Sequence, residues 1–237
     1  MKITAEGAGV PLAAETPAAG MPIPGGLLSV LAGHPAACSL LAHQVAAAVA
    51  SGRPWLDVVT RRGPVLAVAA ASGLRRAHRR REAINQAAGG PAELRALHWA
   101  ALVGDDALAI CGDRATPGNA AGYWPALVEL AGDMGAALVV LGAVPAGPAA
   151  VIAGNARWLA WRTGAAVLLI APPGAGIDAA GGRLTLSSSG RDPSGGARRR
   201  AWCLTISTPG QIPGTRIMPL GLAGGVFVLV SREMRPR

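Results

Sequence analysis

Arginine side chains are the clearest carriers of chemistry in this sequence, and they fall into two groups. The first group is a dense run made of Arg75, Arg76, Arg79, Arg80 and Arg81, and the second is Arg191, Arg198, Arg199 and Arg200. Guanidinium groups bind phosphate oxygens through several N–H donors, and neighbouring ones repel each other unless an anion or water compensates. Both groups are therefore candidate nucleic-acid contacts, although a solvated helix face explains the first run equally well.

Cysteine and histidine offer little catalytic chemistry. Cys38, Cys111 and Cys203 are widely spaced and include no C-x-x-C pair, so neither a disulfide framework nor a zinc site is indicated. His34 lies close to Cys38 in sequence, but nothing supplies a third member of a nucleophilic triad or an oxyanion site. We therefore predict no metal site and no catalytic residue, and structural roles for both side chains.

The charge balance points to a polyanionic partner. The chain carries 22 basic and 13 acidic residues, a formal net charge of +9, and Lys2 is its only lysine. A basic excess favours nucleic acid through counterion release, while an arginine-rich genome would give the same bias without any function. Nucleic acid is the favoured interpretation.

Export and membrane insertion are not indicated. Residues 1–20 lack the charged start and continuous apolar core of a signal peptide. Two long uncharged stretches, residues 31–52 and 134–156, are interrupted by Gly, Pro, His or Asn, which favours buried elements over membrane spans. We predict a cytoplasmic protein with reduced thiols and no membrane partner.

Apolar runs alternate with helical patterns along most of the chain. Buried strands are predicted at residues 26–33, 63–70, 93–99, 136–141 and 165–171. Helices are predicted at residues 39–51, 72–86, 124–131 and 149–162. Antiparallel strands are predicted at residues 201–207, 216–220 and 226–230. The pattern predicts an α/β fold with a mainly parallel sheet, helices on both faces and a C-terminal antiparallel set.

The composition predicts one domain with a loose start. Residues 1–24 are interpreted as a flexible N-terminal segment, and residues 25–237 as the domain itself. Within it, residues 172–200 are rich in Gly, Ser and Arg, which favours a long mobile basic loop.

The layout of these segments resembles the RecA-like P-loop ATPases, and among them the RepA-type hexameric helicases of broad-host-range plasmids. The segment LAGHPAACSLLA at 31–42 takes the place of the phosphate-binding loop, and VASGRPWL at 49–56 with RGPVL at 62–66 resembles the family's next two segments. ALVVL at 137–141 resembles the Walker B strand, and RTGAAVLLI at 162–170 the strand after it. The resemblance covers roughly residues 25–230 and implies a RecA-like fold.

The resemblance fails at the residues that would bind the phosphates. A working loop has the form G-x-x-x-x-G-K-[ST], in which backbone N–H groups and the lysine hold phosphate and the hydroxyl holds magnesium. The degenerate loop expected here consists of Gly33, His34, Pro35, Ala36, Ala37, Cys38 and Ser39. Ser39 stands either at the lysine position or, in a loop one residue shorter, at the hydroxyl position. The lysine is missing in both cases, and Lys2 lies in the predicted flexible start.

The other positions that the resemblance marks as charged are also uncharged. Leu141 is followed by Gly-Ala-Val-Pro instead of a magnesium-binding aspartate, and Ala69 by Ala-Ala-Ser instead of an acid that activates water. Ala171 is followed by two prolines, and Ser207 by Thr-Pro-Gly without a basic finger. We predict an inactive pseudo-ATPase that needs no cofactor; weak binding of a nucleotide or anion at the helix start near Ser39 stays open.

The leading hypothesis is a DNA-binding or assembly factor in DNA replication, repair or damage-induced mutagenesis. RecA-related accessory proteins of mutagenesis complexes, the ImuA and SulA-like group, are similar in size, in lacking Walker residues and in an Arg-rich C-terminal section. The predicted partners are single-stranded DNA without sequence specificity, and further copies or a RecA-like or polymerase-type protein. Alternatives are a RepA-like ATPase or helicase, active alone or completed by a partner, and a protein-only scaffold that regulates an active paralogue. Trp158 and Trp161 indicate packing or a subunit contact.

Overall fold

The structure is a computed structural model, and it describes residues 23–70, 80, 82–85, 94–102, 123–142, 149–189, 201–208 and 216–230. The strands are β1 Leu28–Gly33, β2 Val65–Ala70, β3 Leu97–Leu102, β4 Leu138–Leu141, β5 Ala166–Ala171, β6 Gly182–Ser189, β7 Ala201–Ser207, β8 Arg216–Ala223 and β9 Val226–Leu229. The helices are α1 Pro35–Ser51, α2 Tyr123–Asp133 and α3 Ala149–Thr163, and a 3₁₀ turn spans Leu94–Ala96.

The nine strands form one sheet in the order β3-β2-β4-β5-β1-β6-β7-β8-β9. All pairs from β3 to β6 are parallel, whereas β7, β8 and β9 are added antiparallel. This arrangement confirms the predicted α/β fold with a parallel core and a C-terminal antiparallel set.

The parallel core is covered on both faces. α1 packs with Val65, Leu138 and Leu168 on one face, while α2 and α3 pack on the other, where Trp124 is fully buried. Every residue of β1, β4 and β5 is buried as a result. Continuous apolar strands are what a sheet needs when helices lie on both sides of it.

The antiparallel part of the sheet is covered on one face by α1. Leu204, Ile206, Met218 and Leu220 are buried in the α1 cluster. The residues between them point to the other face and are exposed or half-buried, as Ile217 is. None of the described helices packs on that second face, so these strands alternate apolar and polar residues.

One predicted loop contains a strand. The prediction of a mobile loop over residues 172–200 is wrong for β6, which pairs parallel to β1 along its length. Leu184 and Leu186 enter the core while Arg183 and Thr185 alternate with them, and this period of two was hidden by the Gly- and Ser-rich flanks. Residues 190–200 lie outside the described part of the chain.

Several predicted boundaries also move. The strand predicted at 93–99 lies at Leu97–Leu102, after the 3₁₀ turn. Ile23, assigned to the flexible start, is 1% exposed and packs in the α1 cluster, and residues 1–22 lie outside the described part. Of the helix predicted at 72–86, the described residues 82–85 are helical.

Within the described part of the chain, no helix has both the length and the apolar character needed to cross a bilayer.

Candidate nucleotide site at the carboxyl edge of the sheet

The carboxyl ends of four parallel strands meet at one edge of the sheet. The register pairs Ala32 of β1 with Ala171 of β5, and Leu141 of β4 with Leu169 of β5 and Val68 of β2. α1 begins at the same edge, directly after β1. Ligands of open α/β sheets bind at this edge, so it is the place to look for a nucleotide site.

The connection from β1 to α1 is too short to form a phosphate-binding loop. Gly33 ends β1, His34 is the N-cap, and Pro35 is the first helical residue. Residues 35–39, predicted as a turn and the first residue of a helix beginning at Ser39, therefore already form the first turn of α1. Proline favours this position because its fixed φ suits the first helical residue and its missing N–H is not needed there.

The N–H groups at the start of α1 are largely used inside the protein. The backbone N–H groups of Ala37 and Cys38 both donate to the His34 carbonyl, at 3.0 Å each, and Pro35 has no N–H. A phosphate cradle depends on several N–H groups that point at the ligand. The first turn of α1 leaves Ala36 as its remaining backbone donor ahead of Cys38.

The last residue of β1 is tightly packed. Gly33 has a φ of 152°, and a Cβ added there would collide with the Leu186 carbonyl oxygen and lie 2.9 Å from the Cys38 Sγ. Gly33 is the register partner of Leu186 on β6. The strand β6 and the Cys38 thiol thus lie so close to Gly33 that no side chain fits at this position.

Cys38 is a packing residue in this structure. Its side chain is fully buried, and burial raises the pKa of its thiol to about 12. A thiol with this pKa stays protonated at neutral pH and is a poor nucleophile. The side chain of His34 is exposed, and its structural role stays a prediction.

Arg80 reaches the candidate site from the segment after β2. Its guanidinium donates to the Ser39 Oγ at 2.6 Å and to the Ala36 carbonyl at 3.3 Å. Two of the five guanidinium N–H groups are used in this way, and a DNA contact of Arg80 stays a prediction. The other predicted arginines lie outside the described residues, and their DNA contacts stay predictions: Arg75, Arg76, Arg79, Arg81, Arg191, Arg198, Arg199 and Arg200.

His43 lies one turn beyond Ser39 and is a functional-site neighbour that sequence reasoning missed. Its ring meets the Trp99 ring edge-on, with centroids 5.0 Å apart. Burial, with a smaller contribution from the Arg80 charge, lowers the pKa of His43 to about 4. Its Nδ1 is buried without a hydrogen-bond partner among the described residues. The spacing of four from Ser39, on the same helix face, was the available signal.

The remaining strand ends carry no charge at this edge. Gly142 continues β4, donates its N–H to the Val68 carbonyl at 3.0 Å, and has room for little more than a hydrogen, because a Cβ would lie 3.1 Å from the same oxygen. β2 ends in Ala70, and β5 ends in Ala171 before Pro172. Across the residues that the structure describes, no group of three His, Cys, Asp or Glu side chains could hold a metal ion.

Strand order, crossovers and the helix directly after β1 define the class of this protein as a RecA-like P-loop domain. The chain belongs to the AAA domain family AAA_25, whose model matches residues 18–146, more than half of the chain. A KaiC-like protein from the hyperthermophilic archaeon Pyrococcus horikoshii OT3 is similar in fold. The two superpose with a TM-score of 0.56 at 12% identity, over 92% of this chain and 94% of the other. No curated protein matches the sequence.

Proposed function

We propose that this chain is a RecA-like domain that does not hydrolyse ATP and acts by contact, as a DNA-binding or assembly factor in DNA replication, repair or damage-induced mutagenesis. One observation carries the proposal: β1 passes into α1 through His34 alone, so no separate phosphate-binding loop lies between the strand and the helix.

The missing charges support the same proposal. Phosphoryl transfer depends on positioning and on charge stabilisation, and a finger arginine alone contributes about 10³ to 10⁵ in rate. The ends of β1, β2, β4 and β5 provide no carboxylate for magnesium or water, and Lys2 is the only lysine in the chain. Without these groups, Arg80 is the charged side chain that the described residues place beside the start of α1.

Arg80 does not replace the missing lysine in this arrangement. Two of its N–H groups are spent on the Ser39 hydroxyl and the Ala36 carbonyl. The guanidinium therefore binds the first turns of α1 from the side, where it supports the helix. A contact role for the chain then falls to its basic surface, and the net charge of +9 favours a polyanion such as DNA.

ATP hydrolysis by the purified protein is the direct test. We expect no magnesium-dependent turnover, with or without single-stranded DNA, above that of the Ser39→Trp variant. Ser187→Trp places the same bulk on the exposed side of β6 and serves as the matched control. Turnover that the wild type and Ser187→Trp share and Ser39→Trp lacks would overturn the proposal.

Thermal unfolding tests nucleotide binding separately from hydrolysis. A ligand at 100 times its Kd stabilises the folded state by about 2.7 kcal/mol, which is easily seen as a rise in Tm. We expect millimolar Mg-ATP to leave the Tm unchanged. A rise in Tm that saturates with the Mg-ATP concentration would show a nucleotide site, which the short connection between β1 and α1 does not provide.

The DNA partner is tested by titrating a labelled thymidine oligonucleotide over a series of salt concentrations. For single strands, the slope of log K against log salt changes by about 0.7 for each phosphate that the protein neutralises. Replacing Arg198, Arg199 and Arg200 by Gln should weaken binding and flatten that slope. An absence of binding at low salt would instead favour a protein-only scaffold.

A further inference from the structure

α3 has a fully buried face that fixes its orientation on the sheet. The side chains of this face are at most 1% exposed and pack toward β1 and β5; they are Ile152, Ala153, Ala156, Leu159 and Ala160. Because this face is anchored along the helix, the opposite face is held rigidly toward solvent.

The opposite face carries aromatic and basic side chains at helical spacing. Gly154, Arg157, Trp158, Trp161 and Arg162 follow one another at intervals of three, one, three and one, which places them on one stripe. We name these five residues the α3 stripe. From Gly154 to Arg162 it is about 12 Å long at 1.5 Å per residue.

Trp161 is the outstanding residue of the α3 stripe. It is 64% exposed, and the Arg162 guanidinium lies 6.0 Å from its ring centroid. Trp158 is half-buried beside it, and a Cβ added at Gly154 would meet no atom within 4 Å. The indole ring of Trp161 is thus exposed to solvent on a helix whose opposite face is packed against the sheet.

The charged side chains of α3 itself are all positive. α3 contains two arginines and no acidic residue, and both arginines are exposed. Arg157 donates to the backbone carbonyl of Asp178 at 2.6 Å, and Arg183 donates to that of Ile177. Both guanidinium groups thus bind the backbone of residues 177–178. Exposed acidic residues lie nearby in Asp178 and, on the neighbouring helix α2, in Glu129 and Asp133, so the excess of positive charge is confined to α3 itself.

We propose that the α3 stripe is a stacking site for single-stranded DNA. A base stacks on Trp161, Arg157 and Arg162 bind the flanking phosphates, and Gly154 lets the sugar-phosphate chain approach the helix. Sequence-tolerant binding of single strands uses this combination of aromatic rings and arginines. Duplex DNA fits poorly, because its bases already stack on one another.

The inference rests on the proposed function for its DNA partner, but it concerns a different part of the molecule. α3 ends at Thr163, shortly before the start of β5 at Ala166, so Trp161 lies toward the amino ends of the strands. The candidate nucleotide site lies at their carboxyl ends. ATP turnover by both the wild type and Trp161→Ala would overturn the proposed lack of hydrolysis and leave a stacking result intact.

The decisive experiment compares binding of a labelled thymidine oligonucleotide by Trp161→Ala, Trp161→Phe and Ile217→Ala. Stacking of one base is worth about 1–3 kcal/mol, so Trp161→Ala should weaken binding by roughly 5- to 150-fold. Trp161→Phe should retain most of the affinity because it keeps an aromatic ring. Ile217 on β8 is equally exposed at 64%, so Ile217→Ala controls for the loss of exposed apolar area and should bind as the wild type does.

The salt dependence of binding should distinguish the contribution of the two arginines of the α3 stripe from that of Trp161. Arg157→Gln with Arg162→Gln should lower the salt slope by about 1.4, or 0.7 for each phosphate, whereas Trp161→Ala should leave the slope unchanged. Equal affinities of Trp161→Ala and Ile217→Ala would overturn the inference. So would self-association that is lost in Trp161→Ala while DNA binding persists, because the stripe would then be a contact between copies.

Discussion

The start of α1 and the solvent face of α3 belong to helices on opposite faces of the same sheet, and they differ in every respect that matters for binding. At the start of α1, Gly33 and Cys38 are buried against β6 and the backbone donors are used internally. On α3, Trp161 and two arginines stand in solvent. The first region is where a P-loop protein does its chemistry, and the second is an ordinary outer surface of the fold.

The difference teaches that a RecA-like core can be fully packed although the ends of its strands carry no charged side chains. β1, β4 and β5 are buried at every position although their ends carry no charge. Packing depends on apolar side chains along the strands, whereas hydrolysis depends on a few residues after them. The two properties therefore depend on different residues.

The largest expected effect comes from adding one methyl group at the closed edge. Gly33→Ala should lower the free energy of unfolding by at least about 3 kcal/mol, because the added Cβ overpacks β6 and the backbone has a positive φ. Gly154→Ala in the α3 stripe is the matched control. It meets open space inside a helix and should stabilise the protein by about 0.5–1 kcal/mol.

Urea unfolding of both variants measures this contrast. Equal effects of the two substitutions on the free energy of unfolding would mean that the surroundings of Gly33 are as open as those of Gly154. The interpretation that Gly33 is tightly packed would then be wrong.

A second effect of similar size depends on pH. The pKa of His43 is about 4 in the folded protein and about 6.5 in the unfolded chain, so the unfolded state binds the extra proton between these values. Stability is therefore complete above pH 6.5 and falls as the pH is lowered, by up to about 3 kcal/mol at pH 4. His43→Phe keeps the edge contact with Trp99 and should lose this component of the acid sensitivity.

The control for His43 is His98→Phe, at an exposed position on β3. It should leave the pH dependence of stability unchanged. A wild-type stability that stays level from pH 7 to pH 4, after correction by the control, would contradict a buried neutral His43.

A smaller effect on stability is expected when the contact of Arg80 with the start of α1 is removed. Arg80→Met removes the hydrogen bonds to Ser39 and Ala36 and should lower the free energy of unfolding by about 1–2 kcal/mol. It should also raise the pKa of His43, because the Arg80 charge is one cause of its depression.

NMR titration of His43 and urea unfolding check the two parts together. Arg95→Met, at an exposed position in the 3₁₀ turn, is the control and should change neither quantity. If the pKa of His43 is the same in Arg80→Met as in the wild type, the Arg80 guanidinium does not lie near His43 in solution.

The smallest expected effect is on catalysis itself. Ser39→Lys restores the lysine in the alignment that puts Ser39 at the lysine position of the motif. The residues that should form the loop before it are already helical from Pro35. We expect no ATP turnover from this variant by a coupled phosphate-release assay. Turnover in Ser39→Lys would show that the lysine alone had been missing.

The sequence alone determined the order of the main elements and the absence of the catalytic charges. Apolar runs such as those ending at Leu141 and Ala171 predict buried strands because a run of apolar residues is a local pattern. The sequence also shows directly that no charged residue immediately follows these runs. The single lysine at position 2 settles the question of a Walker lysine without any structure. β6 escaped prediction because its alternating pattern is short and lies between Gly- and Ser-rich stretches.

Only the tertiary structure decided what replaced the lost site. Pro35 fits equally well in a turn or at a helix start, and the structure shows that α1 begins there, directly after Gly33 pairs with Leu186 on a strand that is distant in sequence. Likewise, the spacing of Trp158 and Trp161 places both on one side of a helix, but the exposure of Trp161 depends on which side meets the sheet. Local patterns fix periodicity, whereas burial depends on contacts between residues far apart in the chain.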